Sequence, residues 1–203
     1  MQTSLQQSFG NIDIYLFDQL LKGTYTKCRK VLDVGCGGGR NLVYFLQNGF
    51  EVYGVDPNSD AIAAVRELSS NLSGLNPPDN FIVATAEDLP FKDETFDLVI
   101  SSAVLHFAKS KQHFESMLFS MWRPLKPGGY FFARLASDIG IESLVKNLGN
   151  GQYLLPDGSE RFLVNEQQLL YYTGALNAYL YEPIKTTNVQ NLRCMTTWCL
   201  QKG

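Results

Sequence analysis

Histidine is nearly absent from this 203-residue chain, with two in all, and cysteine is sparse, with four. Cys28, Cys36, Cys194 and Cys199 stand at spacings that match no zinc pattern, so no metal site is expected. Reduced thiols in a cytoplasm are the simplest reading of so few cysteines. No stretch approaches the roughly 20 apolar residues of a membrane span. The opening MQTSLQQSFGNIDIY has no charged segment leading into an apolar one, so it does not read as a signal peptide. A basic run is missing too. Seventeen Lys and Arg lie scattered among 20 Asp and Glu, for a net charge of −3. That balance argues against a general polyanion binder, and neither nucleic acid nor membrane is expected as a partner.

What is present is ordinary for a globular protein: 45% hydrophobic residues, with 13 Phe and 10 Tyr. The length suits one domain with one well-buried core. Strand-like and helix-like segments alternate. KVLDVG (30–35), EVYGVD (51–56), FIVATA (81–86), FDLVIS (96–101) and YFFARLA (130–136) read as strands, with KPGG (126–129) as a turn before the last. Helices are expected at 41–49, 59–70, 110–123 and 165–174, with Asn165 as an N-cap. Repeated βα units imply a parallel sheet covered on both faces. The expected fold is α/β: a three-layer, doubly wound, seven-stranded, mostly parallel sheet ending in an antiparallel hairpin. Within it, 1–29 reads as a helical N-terminal segment and 30–137 as a ligand-binding core. Residues 138–164 read as a loop or lid, and 165–203 as the last helix and the hairpin.

The stretch VLDVGCGGGR (31–40) ends a β-branched run in an acid, then four glycines fall within five positions. In a doubly wound sheet, ligands bind at the carboxyl ends of the strands near the switch point. Gly35, Gly37 and Gly39 permit positive φ and let a ligand reach the backbone. Asp33 would repel a phosphate there and attract a cationic group. Asp56 ends the next strand, where a carboxylate can accept both hydroxyl protons of a ribose. The ligand therefore reads as a nucleoside with a positively charged end, a description that S-adenosylmethionine meets. A nicotinamide enzyme would place glycine where Arg40 stands.

These residues resemble the class I S-adenosylmethionine-dependent methyltransferases. Asp33, Gly35, Gly37 and Gly39 match that family's first motif, and four segments follow in order: VYGVDPN, ATAEDLPF, FDLVISSAVLHF and LKPGGYFFA. GGGRN and VLHF are also similar to the tellurite-resistance type of small methyltransferase. The resemblance implies S-adenosylmethionine as cofactor, S-adenosylhomocysteine as product and a small-molecule acceptor. It implies that Gly35, Cys36 and Gly37 lie against the methionine part and that Arg40 and Asn41 reach its carboxylate. Asp56 would hold the ribose, with Pro57 and Asn58 beside the adenosine. Ala86 and Glu87 would meet the adenine, and Ser101 and Ser102 would border the sulfonium. Thr85 stands where family members often carry Asp, so Glu87 or Asp88 is an alternative partner for the adenine amino group.

Three residues have two readings each. His106 is either a base toward the acceptor or a packed, loop-capping side chain. Arg134, in an apolar strand, meets either an anionic substrate or an internal carboxylate. Tyr15, with Phe17, either closes over the pocket or packs an amphipathic helix on the sheet. A cofactor-binding module without turnover and a protein methyltransferase are the alternatives to a small-molecule enzyme.

Overall fold

A computed structural model describes residues 4–203; residues 1–3 of the expected N-terminal segment lie outside the described residues. The N-terminal segment forms α1 (Leu5–Phe9) and α2 (Ile14–Leu21). The core follows as β1 (Lys30–Val34), α3 (Val43–Gln47), β2 (Glu51–Asp56), α4 (Ser59–Leu72), β3 (Phe81–Val83), β4 (Phe96–Ser102), α5 (Lys111–Trp122) and β5 (Leu125–Ser137). After β5 come the short strands β6 (Lys146–Gly149), β7 (Gln152–Leu154) and β8 (Glu160–Phe162). The chain ends with α6 (Glu166–Ala175), β9 (Ala178–Leu180), β10 (Lys185–Val189) and β11 (Arg193–Lys202).

The main sheet runs β10-β11-β5-β4-β1-β2-β3. Strands β1 to β5 pair in parallel, and β10 and β11 close one edge as an antiparallel hairpin. This is the expected seven-stranded sheet; the short β9 adds a further pairing to β11. Central strands are buried on both faces, which is why Val31 to Val34 read as a continuous buried run. Phe45, Leu46, Ile62 and Val65 from α3 and α4 fill one face, joined by Leu16 of α2. Phe114, Leu118, Leu169 and Tyr172 from α5 and α6 fill the other. Asn58, Ser110 and Asn165 cap α4, α5 and α6 by accepting first-turn N–H bonds.

Four local differences from the sequence reading have physical reasons. Helix α3 starts at Val43, so Arg40 and Asn41 lie in the turn ahead of it. Strand β3 stops at Val83, because its partner β2 ends at Asp56; residues 84–86 leave the sheet. KPGG lies inside β5 as a bulge: pairing passes from Phe96–Leu125 to Leu98–Tyr130, so residues 126–129 oppose Asp97 alone. Residues 138–164 are neither a bare loop nor a helix. They fold into the antiparallel sheet β6-β7-β8, seated through Leu155 and Leu163 on Ala136. The sequence turns at LGNGQ and LPDGS are the two hairpin bends of that sheet.

Sheet order also sets where a ligand can sit. The chain moves outward from β1 through β2 and β3, then returns to the other side of β1 with β4. Loops after β1 and β4 therefore diverge and leave a crevice at their carboxyl ends.

Candidate functional site

At that crevice two cavities open side by side. The first, about 410 Å³, is lined by Gly35, Asp56, Pro57, Thr85, Ala86 and Glu87, with Val104, Phe107, His113 and Met117 opposite. The second, about 370 Å³, is lined by His106, Arg134, Asp157, Arg161 and Arg193 among others. Ala103 lines both. It stands at φ +64°, an uncommon conformation for a residue with a Cβ, and its N–H donates to the Arg134 carbonyl at 2.7 Å. Such strain persists where surrounding structure over-determines it, and it clusters at ligand sites.

The glycine loop is fastened from below. Gly35 and Cys36 both donate their N–H to the Val55 carbonyl, at 2.7 and 3.0 Å. The Cys36 side chain is buried beneath the loop beside Gly54, and burial pushes its thiol pKa up. Gly39 turns away from the cavities: a Cβ there would meet Val65 and Leu68 of α4 at 2.8 Å, so its role in the structure is close packing. Gly37 differs, since a Cβ on it would meet nothing within 4 Å.

Asp56 is held as a clamp. Its carboxylate accepts from the Gly37 N–H at 3.0 Å and the Asn58 N–H at 2.9 Å. Two acceptor positions remain, enough for a pair of vicinal hydroxyls. Asp56→Ala is expected to weaken S-adenosylhomocysteine binding by about 2–3 kcal/mol, since it removes charged hydrogen bonds and frees the loop. Asp56→Asn, which keeps one acceptor oxygen, should cost less. Calorimetric affinities equal to wild type in both would remove Asp56 from the site.

Asp33 carries the clearest imbalance. It is buried at the end of β1, and neither carboxylate oxygen has a hydrogen-bond partner. Burial raises its pKa to about 8, against the nearby positive charge of Arg40. Ser101 is buried nearby at the end of β4 with an unpartnered hydroxyl. An orphaned acid beside an open glycine backbone, with a ribose-sized pair of free acceptors on Asp56, fits a nucleoside that carries a cation.

Several expected contact residues take part in an internal network. The Arg40 guanidinium donates to the Ser102 hydroxyl at 3.2 Å, and Ser102 donates to Asp13 at 3.3 Å. Asp13 also pairs with Arg134 at 2.8 Å, and its N–H donates to the Asn41 side chain at 3.0 Å. Arg134 thus meets an internal carboxylate while still lining the second cavity. Asn41 is buried in that link to the N-terminal segment. Tyr15 lies under Arg134, its ring centroid 5.2 Å from the guanidinium carbon, and its hydroxyl bonds Thr187. It lines neither cavity, and Phe17 packs on Phe9. Asn58 caps α4 through its side chain.

His106 is buried, and its Nδ1 accepts from the Ala136 N–H at 3.2 Å. Burial, then the fields of Arg161 and Arg193, lower its pKa to about 4. The neutral ring therefore carries its proton on Nε2 and presents a donor.

Residues that sequence reasoning passed over include Asp13, His113, Phe107 and Ala103. Asp13 had a signal: it precedes the apolar stretch of α2 and caps it by accepting the Tyr15 N–H. His113 Nε2 lies 3.6 Å from Glu87, and both line the first cavity. Ala103 had no sequence signal.

This architecture is that of the Rossmann-like methyltransferases. A family model described as a methyltransferase domain matches residues 32–133, half of the chain. The chain belongs to this family, the class I S-adenosylmethionine-dependent methyltransferases. It is similar to an uncharacterized methyltransferase of Synechocystis sp., 38% identical over 104 residues, which are 51% of this chain and 45% of that protein. It is also similar to a tRNA U34 carboxymethyltransferase of Cellvibrio japonicus, 31% identical over 140 residues, 68% of this chain and 40% of that protein. The chain spans less than half the length of these curated relatives. A solved S-adenosylmethionine-dependent methyltransferase from Methanosarcina mazei superposes with a TM-score of 0.69 at 22% identity, over 90% of this chain and 96% of that one. That likeness shows the fold.

Proposed function

We propose that this protein transfers a methyl group from S-adenosylmethionine to a small-molecule acceptor. The observation that carries the reading is the pair of neighbouring cavities that share Ala103 in their walls. The first has the fittings for the cofactor, and the second leads from it to an acceptor. When bound, the cofactor supplies a methyl group on a sulfonium. Its transfer to a lone pair of the acceptor would leave the carbon–sulfur electron pair on the cofactor's sulfur. The chain's own contribution is placement and exclusion of water. Asp33 faces the ammonium of the cofactor's amino-acid end, and Asp56 holds the ribose. Thr85, Ala86 and Glu87 wall the adenine, with Glu87 as its polar partner. Ser101, Arg40 and Asn41 stand around the methionine part, Arg40 and Asn41 chiefly by bracing the loop.

Among the lining residues of the second cavity His106 is the titratable group of the right type, and its geometry supports a positioning role. His106→Ala is expected to destabilise the fold by about 1–3 kcal/mol, because the Ala136 N–H loses its acceptor. His106→Asn, which offers an amide oxygen, should restore much of that. Wild-type stability should fall as pH drops from about 6.5 toward 4, because the unfolded chain takes up the proton that the folded ring refuses. A turnover profile with an inflection near pH 4, lost equally in both variants, would return His106 to the role of base.

The tRNA relative supports a second acceptor class, yet its match covers 40% of that protein. The scattered cations and net charge of −3 favour a small molecule. The test uses cofactor with a radiolabelled methyl group and a cell extract split into small molecules, RNA and protein. Label in the small-molecule fraction is the expected result. Label confined to RNA or protein would overturn the acceptor class. No label in any fraction, with cofactor bound, would favour a binding module.

A further inference from the structure

The second cavity has a charge pattern that cofactor binding does not use. Three arginines from three separate elements line it: Arg134 on β5, Arg161 on β8 and Arg193 at the start of β11. Arg134 is matched by Asp13. Among the described residues, Arg161 and Arg193 form no ion pair. Asp157 is the one carboxylate in the lining, and its Oδ1 accepts from the Ser159 N–H and hydroxyl at 2.9 and 2.6 Å. The balance over these side chains is one positive charge in excess, in a chain whose net charge is negative.

Arg161 is also aimed. Its guanidinium carbon stands 5.1 Å over the ring of Phe107, which lines the neighbouring cofactor-side cavity. One N–H of that guanidinium is anchored on the Glu160 carbonyl at 2.6 Å. A stacked, anchored guanidinium has lost much of its rotamer freedom, so less is lost when it binds an anion. The Asp157 carboxylate, which feels the fields of both Arg161 and Arg193, offsets one of these two charges; an anion entering the cavity would offset the other.

We infer that the second cavity is an anion site: the acceptor is a small organic molecule whose carboxylate or phosphate is bound by Arg161 and Arg193. This rests on the methyltransferase reading of the adjoining cavity. The anionic group is the anchor. Guanidinium pairing withdraws electron density from it and makes it a poor nucleophile, so the methyl-accepting atom lies elsewhere on the molecule, toward Ala103. Sequence gave no hint, because Arg161 and Arg193 belong to stretches without a motif and meet only when β8 and β11 are folded.

The experiment titrates isotopically labelled protein, saturated with S-adenosylhomocysteine, with phenyl phosphate, benzoate and neutral benzyl alcohol at constant ionic strength. Backbone amide shifts at Ala103, Arg161 and Arg193 report the site. Expected are saturable shifts with at least one anion and none with benzyl alcohol, the stronger anion identifying phosphate or carboxylate. R161Q/R193Q should bind that anion about tenfold or more weakly, as fits the loss of charged hydrogen bonds, with S-adenosylhomocysteine affinity kept. The exposed R193Q alone should show part of the effect, which guards against a misfolded double variant. No saturable shift with either anion, equal binding of benzyl alcohol, or an unaltered double variant overturns the inference. Tighter binding of a short RNA hairpin, with a steep salt dependence, overturns it in favour of a polyanion. Anion binding without any S-adenosylhomocysteine binding would instead overturn the methyltransferase reading and leave the anion site standing.

Discussion

Asp33→Asn is expected to make the ligand-free protein more stable and to weaken S-adenosylhomocysteine binding by about 2–4 kcal/mol. Both effects come from one buried carboxyl with two unpartnered oxygens and a pKa raised to about 8. For an acid whose folded pKa is raised, the folded chain holds the proton more tightly than the unfolded chain. Stability present at acid pH is therefore lost as pH climbs from about 4 to about 8. Asparagine has no such charge to bury, so the variant should gain of the order of 3 kcal/mol over wild type at the alkaline end. Urea unfolding at about pH 5 and about pH 8.5 measures the difference. Ligand binding carries a second signature. A cation beside Asp33 favours its ionised form, so binding near neutral pH should release about one proton. Calorimetry in two buffers of different ionisation enthalpy counts it. A proton count of zero, with the variant binding as wild type, would separate Asp33 from the ligand.

The second large effect separates two neighbouring glycines. Gly35 and Gly37 both adopt positive φ, +72° and +52°, so alanine at either costs about 1–2 kcal/mol in backbone strain. At Gly35 the added methyl would also lie 2.4 Å from the Val104 side chain, which leads into the turn carrying His106 and Phe107. Overpacking adds about 1–3 kcal/mol, so Gly35→Ala should lose stability first. At Gly37 the methyl meets open space beside the Asp56 clamp. Gly37→Ala should stay folded and lose about tenfold or more in cofactor affinity, since the ligand needs that backbone uncovered. Urea midpoints and calorimetry read the two losses separately. A Gly37→Ala variant that binds as wild type would mean that the ligand keeps its distance from the loop.

The sheet was legible because its signals are local. Val31 to Val34 form an unbroken buried run, and Asn58, Ser110 and Asn165 stand where caps are needed. The hairpin of β10 and β11 followed from two β-rich stretches with no helix between them. The KPGG bulge carries the sequence signal of a turn, since Pro and Gly give the same local signal inside a bulge as in a loop. The small sheet of 146–162 leaves no strand signal in the sequence because its strands are three or four residues long, too short for a period to register.

By itself the sequence determined which segments are strands, the glycine loop after β1 and the two acids, Asp33 and Asp56, at the ends of β1 and β2. Each of these depends on residues close together in the chain. Tertiary structure alone decided which expected contacts became internal braces. Asp13 draws Arg134, Ser102 and Asn41 into one network, and Gly39 goes to packing against α4. It alone strained Ala103 between two cavities and brought Arg161 and Arg193 to one of them. Pairings between distant segments leave no periodic trace in the chain; they exist only once the sheet has fixed where each strand ends.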